Sequence, residues 1–331
     1  MKKSLKCLIA ATASVMTTGG AFAVSNMENP LYMPKNREVY LKTGAAVMYK
    51  RSDDTKALKE RGLDHKNEFP VWRFSEDLGY GITDRLALIG RFGYTHDDDI
   101  ARKGMHRGRI GAMYRVLEEK DPLVWDLYTE AFLSGITPMK GTYTAHGFKF
   151  DNYSHGRYGV VFGTRLGKTW DRFTLAGHVE YLQTFGNHNN KISIAPDTPL
   201  AAMGFPAEIE VNLKSTSETC AGFDTHYQID DAWSFGAGFE YYEHADNGVK
   251  SIHTPMPNPA LDPAAKMVAK QFENMKDGWD EYVIKLNIAN QISDSMQLTL
   301  FTEYTFDDSH SNSQNGTDIK LEAGLRFNAR F

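Results

Sequence analysis

The chain of 331 residues is poor in cysteine, holding only Cys7 and Cys220. Two thiols cannot build the multi-bridge framework of a small secreted domain. Long apolar runs are missing too. Past the N-terminus no stretch approaches the roughly 20 residues that a membrane-crossing helix needs, and mean hydropathy is −0.45. A bundle of transmembrane helices is thereby excluded. Nor is there a surplus of charge of one sign: 37 basic residues stand against 42 acidic ones. With no basic patch, nucleic acid is not an expected partner. The 12% of aromatic residues in turn excludes a disordered chain.

What is present starts with an export signal. Residues 1–23 read MKKSLKCLIAATASVMTTGGAFA. Lys2, Lys3 and Lys6 form a positive start, Leu8 to Met16 a short apolar stretch, and Ala21-Phe22-Ala23 a small-residue cleavage site. Cleavage after Ala23 removes three lysines and leaves 34 basic against 42 acidic residues, net −8. Cys220 is then the single thiol, so no intrachain disulfide is expected. The reading divides the chain into a signal peptide over 1–23, a periplasmic N-terminal segment over 24–36 and one β domain over 37–331.

That domain alternates with a period of two. At the C-terminus Ile319, Leu321, Ala323, Leu325, Phe327, Ala329 and Phe331 fall on one face, and Lys320, Glu322, Arg326, Asn328 and Arg330 on the other. Successive side chains of a strand point to opposite sides, so this segment has one apolar and one polar face. The pattern returns over 38–50, 69–80, 85–95, 107–116, 123–134, 156–167, 172–184, 217–229, 233–244, 281–291 and 297–306, which makes twelve strands. Each is about twice the length usual in soluble sheets and suits a tilted strand crossing a bilayer. In 69–80, Glu76 intrudes on the face of Trp72, Phe74, Leu78 and Tyr80, which predicts a bulge or a register other than the one read here.

The connections alternate between short turns and long loops. Four turns carry Asp before the next strand, in TDRLAL, WDRFTL, DDAWSF and SDSMQL, where its side chain can bond its own backbone. Trp125, Trp170 and Trp233 lie at the short-turn ends; Tyr49, Trp72, Tyr94, Tyr181, Tyr241 and Tyr304 lie at the long-loop ends. Two aromatic belts around an apolar band are the habit of a membrane barrel.

With its signal peptide, its twelve amphipathic strands and a last strand that ends in Phe331, the chain resembles the Gram-negative outer-membrane β-barrel proteins. The resemblance implies an all-β, antiparallel up-and-down barrel with short periplasmic turns and long extracellular loops. It implies residence in the cell outer membrane among lipids and lipopolysaccharide. Leu325, Phe327 and Phe331 resemble the family's C-terminal assembly signal, read by the barrel-assembly machinery. The resemblance is architectural and selects no subfamily.

For function, the inward faces are informative. Arg73, Arg91 and Arg109 fall at similar heights on the second, third and fourth strands. Glu130, Glu180, Glu240 and Glu303 fall at comparable heights on other arcs, with Asp224 slightly lower. These residues predict either a pore lining that orients small polar or anionic solutes or a lumen closed by ion pairs. An enzyme is not expected, because no Ser and His meet at one height as a nucleophile and its base. No cofactor or metal is expected: His178, His226 and His244 sit at unequal heights on consecutive strands, and Cys220 reads as a small lumen residue. The run Asp97-Asp98-Asp99 reads as a solvated loop or a weak site for a hard cation at the lipopolysaccharide surface. In the loop 245–280, Asp262-Pro263 followed by Ala265, Val268, Phe272 and Met275 predicts a short helix over 263–275.

Deleting Phe331 tests the assembly signal. Refolding of the purified chain into detergent stays nearly intact, while the amount inserted in the outer membrane of cells falls, as read from membrane fractions. Equal insertion of both forms would contradict the assignment.

Overall fold

The computed structural model describes residues 26–52, 70–97, 102–118, 123–133, 141–143, 148–150, 157–186, 190–194, 208–245, 249–253, 278–309 and 317–331, together with 202, 263 and 270. In chain order the strands are β1 (Val39–Ser52), β2 (Val71–Thr83), β3 (Leu86–Asp97), β4 (Arg102–Leu117), β5 (Val124–Phe132), β6 (Gly141–Tyr143), β7 (Phe148–Phe150), β8 (Gly159–Trp170) and β9 (Phe173–Thr184). They continue as β10 (Asn190–Ile194), β11 (Glu208–Leu213), β12 (Thr216–Gln228), β13 (Trp233–His244), β14 (Val249–His253), β15 (Trp279–Ser293), β16 (Met296–Ser309) and β17 (Thr317–Arg330).

Twelve of these close into one antiparallel barrel in the order β1-β2-β3-β4-β5-β8-β9-β12-β13-β15-β16-β17, with β17 returning to β1. They are the twelve strands expected from the alternation. The seam runs unbroken from Tyr40 opposite Arg330 to Ser52 opposite Asp318. It is extended at its end by Val39 and Phe331, whose backbone groups bond each other at 3.0 and 2.9 Å. Phe331 therefore completes the ladder with its backbone while its ring faces outward, 71% exposed. The remaining five short strands come from three long loops and pair as a second sheet, β14-β11-β10-β7-β6, on the long-loop side.

The turns follow their local chemistry. Between β12 and β13 the Asp230 carboxylate accepts bonds from the amides of Ala232 and Trp233, both at 2.8 Å. Between β8 and β9, Asp171 takes a left-handed φ of 47°, a conformation that Asp tolerates better than most residues. Between β2 and β3 the acceptor is the Thr83 hydroxyl, bonded by the Arg85 and Leu86 amides, and not the aspartate itself.

The polarity of the wall is inverted relative to a soluble protein. Leu88, Ile110, Phe162, Leu300 and Leu325 are exposed on the outer face. Trp125 and Trp233 stand at its lower rim, and Tyr49, Trp72, Tyr94, Tyr181 and Tyr304 at its upper rim. Buried positions hold Arg109, Arg115, Asp126, Glu130, Gln297 and Asn328. Alternation on a closed sheet places apolar groups toward lipid and polar ones in the lumen.

One expectation needs correction. No bulge and no register shift occurs at Glu76: β2 pairs regularly with β1 and β3 through it. Its side chain faces outward, midway between Trp72 and Tyr80, and its carboxylate accepts a bond from the Thr43 hydroxyl of β1 at 2.7 Å. The register is fixed by the ten continuous residue pairs of the β1–β2 ladder, so a single misplaced carboxylate is tolerated and not rearranged. The helix expected over 263–275 lies outside the described residues, but for Pro263 and Lys270. The side chains of the run 97–99 lie outside them too.

A carboxylate at mid-height on a lipid-facing wall costs free energy, less than the ~2–4 kcal/mol found for Arg or Lys at a bilayer midplane. Glu76→Leu is expected to stabilise the barrel by about 1–2 kcal/mol, measured by denaturant unfolding from lipid bilayers. A destabilised Glu76→Leu would assign the carboxylate a structural role.

Candidate functional site

The lumen is layered from its short-turn end upward. The lowest layer is the chain's own N-terminal segment. Met27, Leu31 and Met33 are buried, inside the short-turn end of the barrel. Asn26 donates to Gln228 and Ser234 at 2.9 and 3.1 Å and accepts from Gln297 at 2.7 Å. Asn29 donates to Thr174 at 2.8 Å. These partners come from the short-turn ends of β9, β12, β13 and β16, so the segment bridges the bore. Gly81 admits it, since a Cβ there would stand 1.8 Å from the Lys35 carbonyl oxygen. The next residues return to the rim, where the Arg37 amide bonds the Gly81 carbonyl at 2.7 Å.

Two buried charge clusters hold this plug. In the first, Glu28 meets Lys42 at 3.6 Å and Arg326 at 3.3 Å, and accepts bonds from Asn328 at 2.7 Å and Thr299 at 3.1 Å. Burial by itself pushes the Glu28 carboxyl up. The two cations and the two hydrogen bonds overcome it and hold the group down at about 2. In the second, Asp126 is fully buried between Arg115, at 2.8 Å, and Arg165. Both guanidiniums then turn to the plug backbone. Arg115 donates to the Leu31 carbonyl at 2.6 Å, and Arg165 donates to the carbonyls of Pro30 and Tyr32.

Above the plug lies a polar cavity of about 520 Å³, floored by Pro30. Arg73, Arg91, Arg109, Glu180, Asp224, Glu240 and Glu303 all line it, and Glu130 is buried behind them. Arg91 and Arg109 are direct cross-strand partners. Like charges this close need compensation, and Glu130 and Glu180 provide it. Arg91 lies 3.2 Å from Glu130 and 3.9 Å from Glu180; Arg109 lies 3.7 Å from Glu130 and hydrogen-bonds Glu180. Arg73 reaches past Ala46 to Glu322 at 2.9 Å. Across the bore, Glu240 pairs with Lys285 and meets His178 at 3.3 Å. The basic residues and the acidic residues thus interlock instead of facing one another across open space.

Leu325, Phe327 and Phe331, the expected assembly signal, all face outward. Of the histidines, His178 joins the cavity wall, His226 is buried near the plug level, and His244 stacks on Trp279 at 4.2 Å near the long-loop end. Sequence reasoning missed the plug. Its only signal was three apolar residues, Met27, Leu31 and Met33, in a segment with no strand partner.

No protein-family model matches the chain, and no curated protein sequence matches it. Among solved structures it is similar to an outer membrane channel from Pseudomonas putida F1, with a TM-score of 0.53 and 12% identity over 93% of this chain and 100% of that one. The fold is that of the outer-membrane β-barrels. Fainter likenesses include the CymD monoaromatic hydrocarbon channel, with a TM-score of 0.48 and 11% identity over 97% of each chain. The toluene transporter TbuX of Ralstonia pickettii gives a TM-score of 0.43 and 10% identity over 95% of this chain and 96% of that one. A closed barrel is one of two ways to satisfy every backbone group in hydrocarbon, and this barrel carries the matching apolar band and aromatic rims.

Glu28 makes the plug sensitive to acid. A carboxyl held at about 2 in place of an ordinary value near 4.5 contributes about 3 kcal/mol. That contribution is full above about pH 4.5 and is lost as pH falls toward 2. Amide hydrogen exchange over residues 26–34, expressed relative to the intrinsic rate at each pH, is expected to quicken between pH 5 and 3 in the parent. In Glu28→Gln it is expected to be fast at both values, since Lys42 and Arg326 lose their counter-charge. Slow exchange in that variant would remove Glu28 from the anchor.

Proposed function

We propose that this protein is a passive outer-membrane channel for small polar solutes, closed at its periplasmic end by its own N-terminal segment. The observation that carries this reading is the charged cavity of about 520 Å³ between that segment and the long-loop side. Lumens of larger barrels conduct and those of the smallest are filled by side chains; a twelve-stranded barrel falls between. Here the space is filled at the bottom by a separate stretch of chain and not by the wall, so displacing that stretch opens the bore without unmaking a strand pair. The sequence also suggested anionic solutes. Arg73, Arg91 and Arg109 each sit against a carboxylate, and among the described lining residues eight carboxylates stand against six Arg and Lys side chains. That balance suits polar solutes without a preference for anions. In this reading the partners are outer-membrane lipids, lipopolysaccharide and the barrel-assembly machinery.

The Arg91–Arg109–Glu130–Glu180 lattice favours a second reading, a barrel whose lumen is cross-linked shut and whose loops do the work. Planar-bilayer recording separates the two. The full mature chain is expected to open rarely, and a variant lacking residues 24–34 to pass steady current. In that deletion, Arg91→Glu should move the reversal potential toward cations. Silence of both chains across a range of voltages would leave the closed barrel.

A further inference from the structure

We propose that His178, Cys220 and Glu240 form a binding site for a divalent transition metal ion of borderline softness, such as Zn(II), on the wall of the lumen. The inference is independent of whether the barrel conducts.

The site is built by register. Cys220, Gly222 and Asp224 are successive inward positions of β12. His178 of β9 and Glu240 of β13 are both cross-strand partners of Gly222, one on each side. Gly222 has no side chain to separate them. A Cβ there would stand 2.9 Å from both the His178 ring and the Glu240 side chain. The two therefore meet over the glycine, with Cys220 one step toward the long loops and Asp224 one step toward the short turns.

The nitrogen and oxygen donors are spaced as a tetrahedral ion requires, and the sulfur lies a few tenths of an ångström or more farther out, so it closes inward on binding. His178 Nε2 lies 3.3 Å from Glu240 Oε1 and 3.9 Å from Cys220 Sγ, and the three donors lie within 4.8 Å of one another. Bond lengths of about 2.0–2.1 Å to nitrogen, 2.0–2.2 Å to oxygen and 2.3 Å to sulfur place such donors roughly 3.3 and 3.6 Å apart around Zn(II). The imidazole is also oriented for the task. Its other nitrogen, Nδ1, faces the Asp224 carboxylate at 3.5 Å. A carboxylate behind a ligating histidine fixes the tautomer and raises the basicity of the ligating nitrogen. The Tyr242 hydroxyl bonds Glu240 Oε2 at 2.9 Å, whereas Lys285 pairs with Oε1, the oxygen that faces His178, and must share it with the ion. An ionised carboxylate has about four lone-pair positions, so these partners leave room for a metal.

Thiolate, imidazole and carboxylate together select a borderline ion over Mg(II) or Ca(II), which prefer oxygen alone. Binding turns the Cys220 thiol into a thiolate and releases its proton to solvent. All three ligands line the cavity, so the fourth position faces the bore and takes water or a donor atom of a passing solute.

Cys220 is the mature chain's single thiol, which makes the test specific. The purified full mature chain, folded in detergent, is titrated with Co(II), and the near-ultraviolet thiolate-to-cobalt absorption is followed. One equivalent is expected to saturate the band, Zn(II) to abolish it by displacement, and Mg(II) to leave it unchanged. His178→Ala should weaken binding at least tenfold. Asp224→Asn should weaken it by about 10–100-fold while the stoichiometry stays at one. Heat-modifiable electrophoretic mobility verifies that each variant is a closed barrel. If a variant fails that check, the parent titration decides alone. No band in the folded parent, or an undiminished band in folded His178→Ala, would overturn the site.

Discussion

Hydrocarbon offers no water to a backbone N–H or C=O, and that single constraint organises this molecule. Every strand must find a partner on both sides, so the sheet closes on itself. Closure rests on the seam between the first and last strands, which runs from Ser52 and Asp318 to Val39 and Phe331. Once the wall is closed, alternation has only two destinations, lipid and lumen. The apolar half of each strand goes outward, and the charged half is left to arrange itself inside.

The charged half is where specificity arises. Guanidiniums and carboxylates removed from bulk water need partners, and the barrel supplies them across strands far apart in sequence. Arg109 meets Glu180 from β9, Arg73 meets Glu322 from β17, and Glu240 meets both His178 and Lys285. The same demand recruits the N-terminal segment. Asp126 satisfies one side of Arg115 and Arg165, and the backbone carbonyls of Pro30, Leu31 and Tyr32 satisfy the other. Glu28 in turn is the counter-charge for Lys42 and Arg326. Plug and wall are thus one electrostatic structure, made of contacts that can be exchanged for water without breaking a ladder. That is the physical basis for the proposal that this segment can leave the lumen.

Small residues set the reach of these contacts. Ala46 lets Arg73 cross β1 to the last strand, and Gly222 lets His178 and Glu240 meet above β12. A lumen with uniform large side chains would pair only nearest neighbours. Glycines and alanines at inward positions instead extend pairing to the second strand away, so residues from β9, β12 and β13 share one point in space. The cavity at mid-height and the proposed metal site both follow from this spacing.

The sequence by itself determined the strands, their number, the side that faces lipid and the end that carries the short turns. A period of two is a local property, and an apolar face on a long strand has no other place to go. Glu76 marks the edge of that logic. Read alone it argued for a bulge, whereas the ladder on both sides holds the register and leaves it facing outward beside Thr43. The inward orientation of Arg73, Arg91, Arg109, Glu130, Glu180, Asp224, Glu240 and Glu303 was legible for the same local reason. Their pairings were not, because shear between strands shifts true heights away from residue counts. Nor was the plug, since a segment without strand partners is placed only by the lumen that receives it. The meeting of His178, Cys220 and Glu240 depended on the register of two ladders and on a glycine between them. Which charges touch is a property of the closed barrel, fixed by distances that no single strand contains.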